Sequence, residues 1–287
     1  MYKKLKRVWV DEPRQRHREL MKMLAKIHGE LEASGRNHEL ARLAVSLPVV
    51  DDVQRFLDSR QLTMLETLER IRREELSFAR FGDGELQMMF RPDFKLAFQR
   101  NSAQLQSALH AVLADARGTR CLVGLPYLFK DRWQSRMWLN VWPRLAGVVD
   151  HEATFGNSHV SRPLFFQFAR EEGVEAWRKV WDGKKVVIVT GRGSRFELVD
   201  GLFDNVADAR FVHSAPVDAF EDYERTRDGA LDQSADLFLI ALGPAGTVLA
   251  HDLASRGRRA LDVGHISDSY LNVFEGRSRP ERKSLQR

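Results

Sequence analysis

Lys185-Val-Val-Ile-Val-Thr190, followed at once by Gly191-Arg-Gly-Ser-Arg195, is the stretch that decides the fold. Its first half is a short apolar run of β-branched residues, as expected of a strand buried on both faces. Its second half is a glycine-rich turn opening into a helical stretch, Phe196–Phe203. Strand, turn and helix together form a geometry in which backbone N–H groups and a helix N-terminus receive an anion. The turn is not G-x-G-x-x-G and no acidic residue takes the ribose-binding place, so a nicotinamide dinucleotide fits poorly.

The same alternation repeats downstream. Ala209–His213 reads as a strand, Pro216-Val-Asp-Ala-Phe220 as a turn, and a charged helix runs on to about Leu231. Asp236–Leu242 is the next strand, Gly243-Pro-Ala-Gly246 its turn, and Thr247–Ser255 a helix closed by Gly257. Arg259–Val263 is a last strand ending in Gly264-His265. Repeated β-α-β with short connections predicts a Rossmann-like α/β fold, a largely parallel sheet with helices on both faces. Turns that follow such strands share the carboxyl edge, where ligands bind. Gly193, Ser194, Arg195, Asp218, Gly243, Thr247, Asp262, Gly264 and His265 are therefore expected on one rim.

Upstream, Ser77-Phe-Ala-Arg-Phe-Gly-Asp-Gly-Glu-Leu86 begins as an apolar strand, breaks at Gly82 and resumes as a helix from about Leu86. The break holds Asp83 and Glu85, with glycine on both sides of Asp83, which permits positive φ and close approach of a bulky anion. Two carboxylates in one tight turn suit a hard cation, Mn²⁺ or Mg²⁺, that fills its shell with water and phosphate oxygens. Arg80 would balance the remaining phosphate charge. The plainer reading of the pair is an N-cap and a first-turn acid.

A helix is expected from Thr63 to Arg73, another near Ser102–Ala116, and a strand over Cys121–Leu125. Trp133, Trp138 and Trp142 lie at roughly helical spacing in Arg132–Trp142; they read as core first, and as a stacking surface for a sugar or base second. Gly156-Asn-Ser-His-Val-Ser-Arg-Pro163 reads as a polar loop, either a surface turn or a phosphate-binding one. In it Arg162, with Ser161, projects from backbone stiffened by the following proline.

Residues 1–60 read as an N-terminal helical extension before a domain of residues 61–287. Leu20, Met23, Leu24, Ile27 and Leu31 fall at helical spacing; Gly29 and Ser34-Gly35 interrupt, and Pro48 with Asp51-Asp52 suggests a new helix start. A helical cap on the main domain is the favoured reading, an oligomerisation or docking arm touching a membrane surface the alternative. The chain of 287 residues is 43% hydrophobic and 30% charged, the balance of a soluble globular protein. Its net charge of +5 suits phosphorylated partners, and no basic run interleaves with aromatics, so nucleic acid is not expected. No membrane span and no signal peptide are read, since the basic start is followed by Asp11 and Glu12. The single Cys121 excludes an internal disulfide and fits a cytoplasmic location.

Taken together, Arg80-Phe-Gly-Asp-Gly-Glu85, Gly156-Asn-x-x-x-Ser-Arg-Pro163, the Gly-x-x-Ser-Arg195 turn with Leu202-Phe-Asp-Asn205, and Leu242-Gly-Pro-x-x-Thr-Val-Leu-Ala-x-Asp-Leu253 through Leu261-Asp-Val-Gly-His265 resemble the bacterial GT-D-type glycosyltransferases. The resemblance runs from about Leu62 to Ile266. It implies an α/β nucleotide-sugar transferase whose D-x-E motif, here Asp83 and Glu85, binds the metal. It further implies a UDP-sugar donor and an acceptor among bacterial surface glycans, glycolipids or glycoproteins, in polysaccharide biosynthesis. Donor contacts fall to Arg80, Gly82, Ser161, Arg162, Gly193, Ser194, Arg195, Gly243, Thr247, Asp262 and Gly264, and Asp218 and His265 are the candidate bases. Thr190, Asp218 and Val199-Asp-Gly201 depart from the family pattern and bear on donor identity. A non-catalytic nucleotide-sugar-binding module and a metal-dependent phosphohydrolase are the competing classes.

Overall fold

The computed structural model describes residues 2–128 and 132–279, and for residues 2–20, 36, 38–43 and 132 it describes the backbone. Two compact units divide the chain, one ending at Asp51 and one beginning at Asp52.

Helix α1 (Tyr2–Arg60) supplies the first unit and opens the second. The breaks expected at Gly29, Ser34-Gly35 and Asp51-Asp52 are absent from it. An isolated glycine weakens a helix by about 1 kcal/mol without ending it, and the fixed φ of Pro48 is itself helical. Of the periodic apolar residues of the first unit, Met23, Leu24, Ile27 and Leu31 lie exposed, and the Leu20 side chain lies outside the described residues. In the second unit Val53, Phe56 and Leu57 are buried, and the Phe56 ring packs 5.1 Å from Trp142 and 5.7 Å from Phe155. Residues 52–60, read from sequence as extension, thus pack within the main unit.

Among the described residues seven strands form one all-parallel sheet in the order β3-β2-β1-β7-β6-β4-β5. They are β1 (Ser77–Arg80), β2 (Cys121–Leu125), β3 (Gly156–Asn157), β4 (Lys185–Gly191), β5 (Asp208–Ser214), β6 (Leu237–Ala241) and β7 (Ala260–Asp262). The apolar run of β4 explains its place: Val186 and Ile188 pack into one layer, and the alternate Val187 and Val189, also buried, face the other. On the first face lie α2 (Met64–Arg73), α6 (Pro163–Trp181), α7 (Asp200–Phe203) and α10 (Ile266–Phe274). Trp177 stacks on Trp181 and Trp181 on Phe203 there, with centroids 5.2 and 4.8 Å apart. The other layer holds α4 (Ala103–Ala114), α8 (Tyr223–Leu231) and α9 (Pro244–Ser255), with α3 (Asp83–Phe90) against α4 and α5 (Arg132–Leu145) against α3.

Several local expectations are corrected. Helix α3 starts at Asp83 rather than Leu86, so both acids sit in its first turn. Neither Gly82 nor Gly84 has positive φ. The helix expected over Phe196–Phe203 shrinks to α7, with Val199 before it in extended backbone. Gly156–Pro163 is not a surface loop: it is β3, a buried 3-10 turn (Ser158–Ser161) and the start of α6. Helix α10 follows His265 and was not foreseen. Cys121 is buried, and burial pushes its thiol up to about 12. Among the described residues no helix is long and apolar enough to cross a membrane.

Candidate functional site

A parallel sheet brings the ends of all its strands to one edge, and at that edge the chain encloses a cavity of about 380 Å³. Strand β1 contributes Arg80 and the first turn of α3, with Asp83, Gly84 and Glu85. The segment after β4 contributes Gly191 to Phe196, that after β5 Ala215 to Val217, and that after β6 Leu242 and Gly243. Gly264, His265, Ser267 and Asp268 close it after β7, and Arg162 reaches in from the start of α6. The chain leaves β6 toward β7 and the adjacent β4 toward β5, in opposite directions, which makes the gap between β6 and β4 the switch point at which such sheets bind ligands.

The floor is charged and buried. Arg80 is 4% exposed, its Nε 3.9 Å from Oδ1 of the fully buried Asp262. The Thr247 hydroxyl lies 3.0 Å from the Arg80 carbonyl and 3.2 Å from Asp262 Oδ2, and Gly264 N–H donates to Asp262 Oδ1. Burial pushes the Asp262 carboxyl up to about 6, with Glu85 adding to the rise and Arg80 opposing it. Glu85 is raised as well, by burial first, with Arg80 again opposing. Gly264 has φ +48, and a Cβ there would stand 2.5 Å from Arg80 Nη2, so only glycine leaves room for the guanidinium. Arg80 Nε and Arg195 Nη1 are buried without a hydrogen-bond partner among the described residues. Buried donors are normally satisfied; at the wall of a cavity, unmatched guanidinium N–H groups mark a place for an anion. Arg195 Nε stands 3.7 Å from Asp268 Oδ2, which fixes its direction.

Asp83 and Glu85 are each oriented through one oxygen. Gly82 N–H donates to Glu85 Oε2 at 2.9 Å, closing the first turn of α3. The Trp133 indole Nε1–H donates to Asp83 Oδ2 at 3.0 Å. Among the described residues no group of three or more His, Cys, Asp or Glu converges. Two carboxylates beside a cavity of this size leave room for a hard ion that takes its other ligands from water and phosphate, and they do not fit a closed structural zinc site.

Other expected residues lie off the cavity wall. Thr247 and Asp262 sit beneath Arg80, Gly82 makes room for the carboxylate of Glu85, and Ser161 is buried in the 3-10 turn. Asp218, a candidate base, is a latch. With φ +52 it accepts Arg100 N–H at 2.6 Å and Arg100 Nε–H at 2.9 Å, and its own N–H donates to the Phe98 carbonyl at 2.8 Å. Phe220 N–H adds a bond to Gln99 Oε1. These bonds tie the strap between α3 and α4 across the β5 end of the site, with Leu96, Ala97 and Phe98 on the wall. The strap, Arg192 and Asp268 were missed from sequence. The strap carries no periodic signal; Asp268 is a first-turn acid of the unforeseen α10.

Over residues 78–282 the sequence matches the family described as the glycosyltransferase GT-D fold. It is 28% identical over 225 residues to glycosyltransferase GlyD of Streptococcus pneumoniae serotype 4 (strain ATCC BAA-334 / TIGR4), a match covering 71% of this chain and 26% of that protein. It is 26% identical over 229 residues to the probable glycosyl transferase Gly of Streptococcus gordonii, covering 74% and 33%. The chain thus spans a quarter to a third of the length of these curated relatives. Among solved structures, one described as the highly conserved domain of unknown function 1792 with a distinct glycosyltransferase fold superposes with a TM-score of 0.71. It is 26% identical, over 80% of this chain and 86% of that one. A second, a glycosyltransferase of the same domain from Streptococcus sanguinis, has a TM-score of 0.69 at 24% identity, over 76% and 85%, and speaks to the fold alone.

Proposed function

Because the chain belongs to the GT-D glycosyltransferase family, we propose that it transfers a sugar from a nucleotide-sugar donor, a UDP-sugar, to a carbohydrate-bearing acceptor with the help of Mn²⁺ or Mg²⁺. The observation that carries this reading is one cavity lined by both carboxylates of the D-x-E motif and by Arg80, Arg162, Arg192 and Arg195. An acceptor hydroxyl attacks the anomeric carbon, the bond from that carbon to the phosphate oxygen breaks, and the diphosphate leaves with the electron pair. A bound divalent ion supplies charge neutralisation for that leaving group. Asp83 and Glu85 would hold the ion, and the arginines stabilise the charge that develops on the phosphates. Arg80 and Arg195 stand at the cavity wall, each held near a carboxylate, before any ligand arrives, so little reorganisation is needed. A base for the acceptor proton belongs on the cavity wall, which favours His265 over the latched Asp218.

The test is donor hydrolysis and transfer with a panel of nucleotide sugars. Turnover should require Mn²⁺ or Mg²⁺, stop in EDTA, and fall by about 10²–10³-fold in Asp83→Ala, the size seen when one preorganised electrostatic group is lost. Turnover that survives both chelation and Asp83→Ala rejects the proposal. Tight UDP binding with no donor consumed would leave a binding module, and phosphate release from nucleotides a hydrolase.

A further inference from the structure

We propose that Trp133 is the platform on which the acceptor's sugar ring rests, an inference that stands on the donor reading above. The tryptophans of α5 separate sharply. Trp138 and Trp142 are buried, with indole N–H groups bonded to the Tyr127 carbonyl and to Asp52. Trp133 is 59% exposed, and its N–H is held by Asp83, a carboxylate of the proposed ion site. An exposed indole pinned beside the ion site is a prepared surface rather than packing.

Strand order gives its side of the site. The cavity extends from β1 over β7, β6 and β4 to the segment after β5, and that length takes the nucleotide. Asp83 follows β1, and α5 follows β2, which flanks β1 on the opposite side. Moving along the edge from the cavity past Asp83 therefore leads to Trp133. A diphosphate held at Asp83 directs its sugar that way, and the acceptor must meet that sugar from beyond it.

The chemistry selects a ring. One face of a pyranose is made of C–H groups and its rim of hydroxyls, which matches a flat, apolar indole surface bounded by polar groups. A tryptophan offers this area with few rotatable bonds. Because its N–H is already committed to Asp83, Trp133 meets the acceptor through its face, so it reads the presence of a sugar ring rather than a pattern of hydroxyls.

Initial rates with a UDP-sugar panel, Mn²⁺ and methyl pyranosides as acceptors test this in wild type, Trp133→Phe and Trp133→Ala, against a serine-containing peptide. Donor hydrolysis without acceptor monitors the Asp83 site, and thermal melts monitor folding. Trp133→Ala and Trp133→Phe both lose the bond to Asp83, so donor hydrolysis should fall to a similar extent in the two; Trp133→Ala should in addition raise the acceptor KM at least tenfold. Trp133→Phe keeps an aromatic face but loses the bond to Asp83, and should hold the acceptor KM within threefold. An unchanged acceptor KM in Trp133→Ala overturns the proposal. So does an acceptor KM that rises equally in both variants, which would make Trp133 a support for Asp83 only. A wild type that hydrolyses donor yet transfers to the peptide alone, or to no pyranoside, overturns the platform and leaves the donor reading standing. A wild type that consumes no donor removes both.

Discussion

Gly264→Ala separates backbone strain from pressure on the buried guanidinium. Gly264 sits at φ +48, and the added methyl carbon would lie 2.5 Å from Arg80 Nη2 and 3.2 Å from its Cζ. Gly257 has φ +74, and a methyl carbon added there would meet nothing within 4 Å, so Gly257→Ala carries the strain without the collision. A left-handed non-glycine residue costs about 1–2 kcal/mol, and overpacking a full interior a further ~1–3 kcal/mol. Gly264→Ala should therefore lose about 2–5 kcal/mol and Gly257→Ala about 1–2 kcal/mol. Urea unfolding followed by tryptophan fluorescence reads this in the main unit, where Trp138, Trp177 and Trp181 are fully buried. Calorimetry with UDP and Mn²⁺ gives the second readout. Arg80 pushed from its seat should weaken binding at least tenfold in Gly264→Ala and leave Gly257→Ala unchanged. Equal destabilisation of the two variants, with equal UDP affinity, would refute the seating of Arg80 under Gly264.

Two further outcomes follow from the same floor and its strap. Asp262 is raised from an ordinary 3.8 to about 6, so its contribution to stability is full below pH 3.8 and is lost as pH rises through 6. Between pH 4 and pH 7 in EDTA, wild type should lose about 2 kcal/mol relative to Asp262→Asn, most of the ~3 kcal/mol that a shift of some two pH units is worth; parallel stability profiles would count against a buried, ionising Asp262. Asp218→Asn tolerates positive φ and still accepts from Arg100. As a latch it should keep kcat within about tenfold of wild type, whereas loss of a general base lowers rate by about 10²–10⁴-fold, so steady-state kinetics decide between the roles.

Much of the frame was readable because single physical signals dominated it. The β-branched run of β4 and the short β-α-β spacing leave few alternatives to a parallel sheet, and a parallel sheet forces Arg195, Gly243 and His265 to one edge. Side-chain direction was harder. Trp133 and Trp138 are five residues apart, roughly 140° around a helix, while Trp138 and Trp142 are roughly 40° apart, so one face buries the latter two and turns Trp133 away. Spacing alone contained that distinction. The strap was not legible: residues between α3 and α4 have no period, and their partners, Asp218 and Phe220, lie more than a hundred residues on. Asp218 reads as a base because an acid after a strand does; its pairing with Arg100, more than a hundred residues away, has no local signal.

Strand order has a consequence for how the polypeptide is made. β7 is the last strand in chain order among the described residues, yet it lies between β1 and β6, with Leu261 beside Phe78. At about 5–20 residues per second, a ribosome delivers β7 roughly 10–40 s after β1. Until then β3-β2-β1 and β6-β4-β5 have no strand to join them, and whatever pairing has formed leaves the edges of β1 and β6 open to other strands. Chaperones at the ribosome exit would have most to protect in that interval, and the seat of Arg80 is finished only when translation has passed Gly264.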